Sequence, residues 1–168
     1  MASDFELYVP DRELTREQLI AVLAEIPDRL AQLVAGIDAR TLAGAAGAGD
    51  WSPIETCRHL RDAVQVYGMR FKWMILQDDP FFPDYNENRW VAESPDEPAQ
   101  LQPMLAEISA FRSETIRLLR SLPSDGWSRR GRHEVLGSVE LGSYVAHELA
   151  HEEQHLAQLR DALRRSGE

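Results

Sequence analysis

Apolar residues recur at helical spacing in four stretches of the chain, with polar residues filling the positions between them. The first stretch opens on Thr15-Arg16-Glu17-Gln18, a capping box whose side chains satisfy the orphan N–H groups of a first turn. Leu19, Val22, Leu23, Ile26, Leu30, Leu33 and Val34 then form one stripe. Pro27 removes a backbone donor and predicts a kink, and Gly36 predicts the stop. The second stretch starts at Ser52-Pro53-Ile54-Glu55, which combines a capping Ser, Pro at the first helical position and Glu at the third. Trp51 precedes the cap as a staple, and Leu60, Val64, Tyr67, Phe71 and Ile75 carry the helix to about Leu76. A third helix begins between Pro98 and Pro103, shows Leu101, Met104, Leu105, Ile108, Phe111, Leu118, Leu119 and Leu122 as its stripe, and ends at Pro123. The fourth begins between Val139 and Gly142 and runs to about Arg165, where Arg160, Arg164 and Arg165 suit the negative end of the helix dipole and Ser166-Gly167 stops it.

No repeat and no strand-like alternation longer than a few residues interrupts this pattern. Four amphipathic helices without strands predict an all-α four-helix bundle. The Ala/Gly-rich segment 38–49 and the Pro/acid-rich segment 80–98 read as loops rather than linkers, because neither flank could fold alone. One domain over residues 1–168 is therefore expected. The connections run to about 15–20 residues, where antiparallel hairpins need only about 2–8. A helix of about 24 residues is ~36 Å long, and a loop of about 20 extended residues at ~3.3 Å each can return along it. Helices two and three can then be parallel, which is an up-down-down-up topology.

Composition narrows the function classes. The chain has 168 residues, 28 Asp and Glu against 18 Lys and Arg, and a formal net charge of −10. That balance argues against nucleic acid as a partner, since phosphate binding needs a basic stripe. Lys72 is the sole lysine, which reads as compositional bias. The lone Cys57 excludes a disulfide scaffold and a cysteine-based zinc module, and it is expected in the core, on a different face from His59. No apolar run approaches the ~20 residues of a membrane span. The start Met1-Ala2-Ser3-Asp4-Phe5-Glu6 lacks a basic-then-apolar leader pattern. A cytoplasmic protein without membrane partners is expected.

Five histidines remain: His59, His133, His147, His151 and His155. Residues four apart on a helix are neighbours, so His151 and His155, or equally His147 and His151, can aim two imidazoles at one ion ~2.0–2.1 Å from each. All three cannot easily share one site, because their rise along the axis is ~12 Å. His59, two turns inside the second helix, is the candidate third ligand, since bundles build metal sites from facing helices. Three imidazoles leave a tetrahedral ion one open position, the layout of a catalytic site. Asp62, one turn on, either orients His59 or pairs with Arg58 or Arg61. Glu55, one turn before, joins the supporting candidates. His133 in the Arg-rich 129–133 segment is expected to face solvent.

His-Glu-x-x-His occurs twice, at 147–151 and 151–155. In zinc peptidases this pattern supplies two ligands and a general base. Here position 154 is Gln and 157 is Ala, where the longer form needs Gly and His. A di-iron reading fails too, because Glu148-x-x-His151 and Glu152-x-x-His155 lie on one helix and Glu55-x-x-x-His59 has the wrong spacing. Glu148 and Glu152 either accept protons near the metal or face solvent, and Tyr144 either lines a pocket or sits in the core. The loop aromatics Phe81, Phe82, Tyr85 and Trp90 cover a pocket or a dimer surface, or simply pack.

Trp51-Ser52-Pro53-Ile54-Glu55-Thr56-Cys57-Arg58-His59-Leu60-Arg61-Asp62, with Leu136-Gly137-Ser138-Val139-Glu140-Leu141 and His151-Glu152-Glu153-Gln154-His155-Leu156-Ala157-Gln158-Leu159, resembles the DinB-like, YfiT-like family of metalloenzymes over nearly the whole chain. The resemblance implies an up-down-down-up bundle, often a homodimer, with a divalent metal on His59, His151 and His155, and it decides against the His147–His151 pair. It also implies chemistry on a small molecule. Some relatives transfer a low-molecular-weight thiol such as bacillithiol or mycothiol to an electrophile, and one branch isomerises maleylpyruvate. The family often has Thr where Glu140 stands, so the cap of the fourth helix is expected to be weaker here. Imidazole suits zinc, nickel, iron and copper alike. Three readings follow: a metal-dependent thiol transferase or hydrolase of a small substrate; a non-catalytic metal-binding module of stress response; and a zinc peptidase using His147, Glu148 and His151.

Overall fold

The computed structural model describes residues 14–44, 47, 50–94 and 97–166. The N-terminal segment read for a leader, part of the Ala/Gly-rich loop and Gly167 lie outside the described residues. The four predicted helices are α1 (Arg16–Val34), α3 (Pro53–Leu76), α5 (Leu101–Arg120) and α6 (Leu141–Ser166), with two short helices, α2 (Ala39–Ala43) and α4 (Glu87–Glu93), in the connections. Both capping boxes form: Thr15 and Gln18 close the start of α1, and Ser52 and Glu55 close that of α3. Helix α1 continues through Pro27, which is buried in its middle. A 3₁₀ turn at Pro98–Gln100 leads into α5.

Three contacts fix the helix directions. Arg16, at the start of α1, donates to the Ser124 carbonyl just beyond α5 at 2.8 Å, so α1 and α5 are antiparallel. Arg129 donates to the Met74 carbonyl near the end of α3 at 2.6 Å, so α3 and α5 finish at the same end. A Cβ at Gly142 would lie 3.6 Å from the Trp127 carbonyl oxygen, so α6 departs from that end too. The path is up-down-down-up. The helices pack in the ring order α1, α5, α3, α6 around one core that includes Leu23, Leu30, Phe71, Met104, Leu119 and Leu149.

The expectation of no strands is corrected. Strands β1 (Phe81–Phe82), β2 (Arg130–His133) and β3 (Gly137–Glu140) form a sheet in that order. β1 pairs parallel with β2, Phe82 opposite His133, and β2 pairs antiparallel with β3, Arg130 opposite Glu140. Gly137 takes φ +73° in the hairpin turn, a conformation that suits glycine. Gly131 is required for a different reason: an added Cβ would come within 2.8 Å of the Phe82 ring. The sheet thereby ties the 77–86 loop to the segment that launches α6. It also settles the start of that helix, because the Leu141 N–H bonds to the Arg129 carbonyl at 2.8 Å.

Candidate metal centre

Helices α3 and α6 run antiparallel side by side, which brings the seventh residue of α3 against the middle of α6. His59 Nε2 lies 3.2 Å from His151 Nε2, and His155 Nε2 lies 3.2 Å from the same atom. Donors sharing one tetrahedral ion at ~2.1 Å sit about 3.4 Å apart, so two of the three nitrogen pairs already stand close to ligand spacing. Gln158, one turn beyond His155, accepts from His155 Nδ1 at 2.9 Å. That bond places the proton on Nδ1 and turns the Nε2 lone pair toward the other two rings. Trp51 walls the cluster from the other side, 4.8 Å from the His59 ring and stacked at 5.7 Å on His155. The staple residue is thus part of the site.

The rings are held neutral. Burial pushes His59 down to about 3, with the His155 charge adding to it. Burial likewise pushes His151 down to about 2, helped by its three histidine neighbours. Burial lowers His155 as well, against the opposing hydrogen bond that it donates to Gln158. Neutral imidazole is the ligating form. Three neutral imidazoles with their Nε2 atoms gathered together are a donor set that fits a divalent metal.

The fourth side of the cluster is a carboxylate that the sequence reading missed. Glu87, at the start of α4, places Oε2 3.6 Å from His59 Nε2 and 4.0 Å from His151 Nε2. The four donor atoms all lie within 4.8 Å of one another. Burial raises the Glu87 carboxyl, and Asp84 raises it further. Beside the cluster opens a pocket of about 580 Å³, lined by Tyr67, Tyr85, Glu87, His133, His147 and Gln154 among others.

The remaining candidates fall elsewhere. Glu148 and Glu152 neither face solvent nor reach the metal cluster. They are fully buried on the neighbouring face of α6, where Arg112 of α5 donates from Nη2 to Glu148 at 2.9 Å and to Glu152 at 2.5 Å. Burial raises both carboxyls, Glu152 to about 8, against the pull of Arg112. Burial alone would lower Arg112, but the two carboxylates outweigh it and hold it raised. The peptidase arrangement is therefore not assembled, because its general base is sealed under a guanidinium. Tyr144 is core: its hydroxyl accepts from Arg70 at 2.8 Å, and its ring stacks on His147. Asp62 accepts from Arg61 at 3.0 and 2.9 Å. Glu55 serves the capping box. His133 is corrected from solvent to buried pocket wall, since β2 turns it inward. Its Nδ1 accepts from the N–H groups of Val135 and Leu136, which leaves the proton on Nε2. Cys57 is buried, and burial pushes its thiol up to about 12. Phe82 is buried, whereas Phe81 and Trp90 are exposed.

Residues 13–159 match the family model of the DinB superfamily. A protein of Oceanobacillus iheyensis, provisionally named a metal-dependent hydrolase, is 25% identical over 158 residues, covering 92% of this chain and 91% of its own. A similarly named protein of Geobacillus thermodenitrificans is 25% identical over 155 residues, covering 90% and 85%. Among solved structures, YfiT from Bacillus subtilis, described as a probable metal-dependent hydrolase with an unusual four-helix bundle topology, superposes with a TM-score of 0.85 at 25% identity, covering 99% of this chain and 97% of YfiT.

Proposed function

Because this chain belongs to the DinB superfamily, we propose that it is a metal-dependent enzyme that holds one divalent ion on His59, His151 and His155 and acts on a small molecule in the adjoining pocket. The observation that carries this reading is the convergence of three neutral Nε2 atoms, two pairs of them at 3.2 Å, beside that pocket. Zinc, nickel and iron all suit such donors. The ion would supply Lewis acidity, polarising a substrate oxygen and lowering the pKa of a ligating water or thiol.

The chain's own residues do the rest. Gln158 fixes the direction of His155, and Trp51 keeps water from the back of the cluster. His133 and Asp84 stand together in the pocket wall, His133 Nε2 lying 3.6 Å from Asp84 Oδ1. A volume of about 580 Å³ suits a small molecule. Hydrolysis is the reaction supported by the names of the relatives. Transfer of a low-molecular-weight thiol to a small electrophile would use the same face. We read the chain as a single domain that works as a homodimer, without nucleic-acid or membrane partners, and no described helix is long and apolar enough to cross a membrane.

Elemental analysis of the purified protein tests the site. Wild type and His147→Ala should carry about one ion per chain, and His59→Ala, His151→Ala and His155→Ala should carry none. Loss in His147→Ala with retention in His155→Ala would reverse the ligand assignment. Stoichiometric metal in the wild type, with no turnover across panels of esters, amides and thiol–electrophile pairs but a melted bundle after chelation, would favour the non-catalytic module instead.

A further inference from the structure

We propose that Glu87 is a fourth, exchangeable ligand of the ion on His59, His151 and His155, carried by a strap that closes the mouth of the site. The inference rests on the metal reading of those histidines and adds a residue to it. Three imidazoles alone leave a tetrahedral ion one ligand short, and the Glu87 carboxylate stands beside them at the pocket. Its 3.6 and 4.0 Å separations from His59 and His151 exceed ligand spacing by a few tenths of an ångström, a gap that side-chain torsion closes.

The strap is built to hold that carboxylate near the cluster without locking it. On the entering side, Arg132 and Glu134 of the hairpin donate to the Pro80 and Phe82 carbonyls at 2.8 and 3.2 Å. The Asp84 N–H bonds to the Glu134 side chain at 3.0 Å, and Arg70 donates to the Pro83 carbonyl at 2.5 Å. On the leaving side, Arg58 donates to the Val91 carbonyl at 2.8 Å, and Val91 is buried. Arg58 immediately precedes the ligand His59, so one turn of α3 both holds the ion and anchors the strap. Between these anchors, Asn86 caps α4 through the Arg89 N–H at 3.0 Å, and the Glu87 side chain is still 42% exposed. A carboxylate fixed at both flanks and open to the pocket can bind the ion at rest and yield to an incoming oxygen or sulfur donor. The site is then closed by its own chain until a ligand displaces Glu87.

Cobalt(II) loading of the full-length protein tests this without any assay of turnover. Wild type, Glu87→Gln, Glu87→Ala and the control Glu93→Gln, which alters an exposed partner of Arg89 on the same helix, are compared for d–d absorption, for cobalt affinity against a competing chelator, and for affinity toward added azide. We expect one cobalt per chain in all four. Both Glu87 variants should show a changed cobalt spectrum, an affinity about tenfold or more lower, and azide binding about tenfold tighter than wild type, while Glu93→Gln matches wild type. Superimposable spectra and equal affinities in wild type and Glu87→Ala would remove Glu87 from the site while leaving the histidine reading intact. A changed spectrum with unchanged azide binding would overturn the exchange. Failure of the wild type itself to bind cobalt would overturn both readings together.

Discussion

Two polar clusters are buried on adjacent faces of α6, and they solve the same problem in opposite ways. Arg112, Glu148 and Glu152 form a sealed knot with its own cation: one guanidinium nitrogen is shared by two carboxylates. His59, His151 and His155 gather three neutral imidazole nitrogens, and they open onto a pocket. The knot retains buried, unpaired atoms, Arg112 Nε and Nη1 and one oxygen of each carboxylate, and neither carboxylate lines the pocket. A buried polar group thus signals a ligand only when its missing partner can come from outside. A Glu in His-Glu-x-x-His is not enough, because here both such Glu residues turn to the knot.

The comparison can be broken at its strongest point first. His151→Ala removes the nitrogen that both other rings approach, and elemental analysis should find metal reduced to background in a still-folded bundle. Arg112→Ala is the matching change in the knot. It leaves two carboxylates buried without a cation and should cost about 3–5 kcal/mol in chemical denaturation, with metal content per folded chain unchanged. The triple change Arg112→Met, Glu148→Leu and Glu152→Leu should recover that loss, because a buried ion triad replaced by apolar residues is often neutral or stabilising by about 1–4 kcal/mol. A triple variant as unstable as the single one would mean that the knot does more than fill its space.

A smaller effect is expected at Gln158→Ala, where His155 loses the bond that orients it. Metal affinity should fall by about 10–100-fold in chelator competition while stoichiometry at saturation holds. The last test is the pH dependence of the metal-free chain, to which the two clusters contribute with opposite signs. His59 and His151 have folded values near 3 and 2 against an ordinary 6.5. Their contribution is present above 6.5 and lost as pH falls toward those values. Glu152 has a folded value near 8 against an ordinary 4.5. Its contribution is full below 4.5 and lost as pH rises through 8. Melting temperatures should therefore rise with pH below 4.5 and fall above 6.5, and Glu152→Gln should flatten only the upper limb.

Much of the bundle was legible because its helices bury apolar stripes at helical period and begin at strong caps. The hairpin was not, because the inward positions of β2 are Gly131 and His133, which give an alternation with no hydrophobic signal. The stripe of α5 departs from the apolar pattern at one position: Phe111 is exposed and Arg112 takes its place inside. The spacing 104, 108, 112, 115, 119 already put residue 112 on the buried face, and Glu148 and Glu152, four apart on α6, were its available partners. Spacing supplied the histidine candidates, but only the antiparallel contact of α3 and α6 brings position 59 level with 151 and 155. Glu87 gave no sign, being one acid among several in an acidic loop, on a helix of 7 residues too short to show a period.

Strand β3 ends at Glu140 and α6 begins at Leu141, with no residue between. Side chains on a helix advance by about 100° per residue, so this junction sets the rotational phase of everything downstream, His151 and His155 included. One residue inserted there would swing both imidazoles a quarter-turn or more around the helix axis, while leaving their mutual spacing untouched. The hairpin thus serves as the index mark from which the last rod is clocked, and a length change at that seam would misaim the pair more completely than most substitutions on the rod itself.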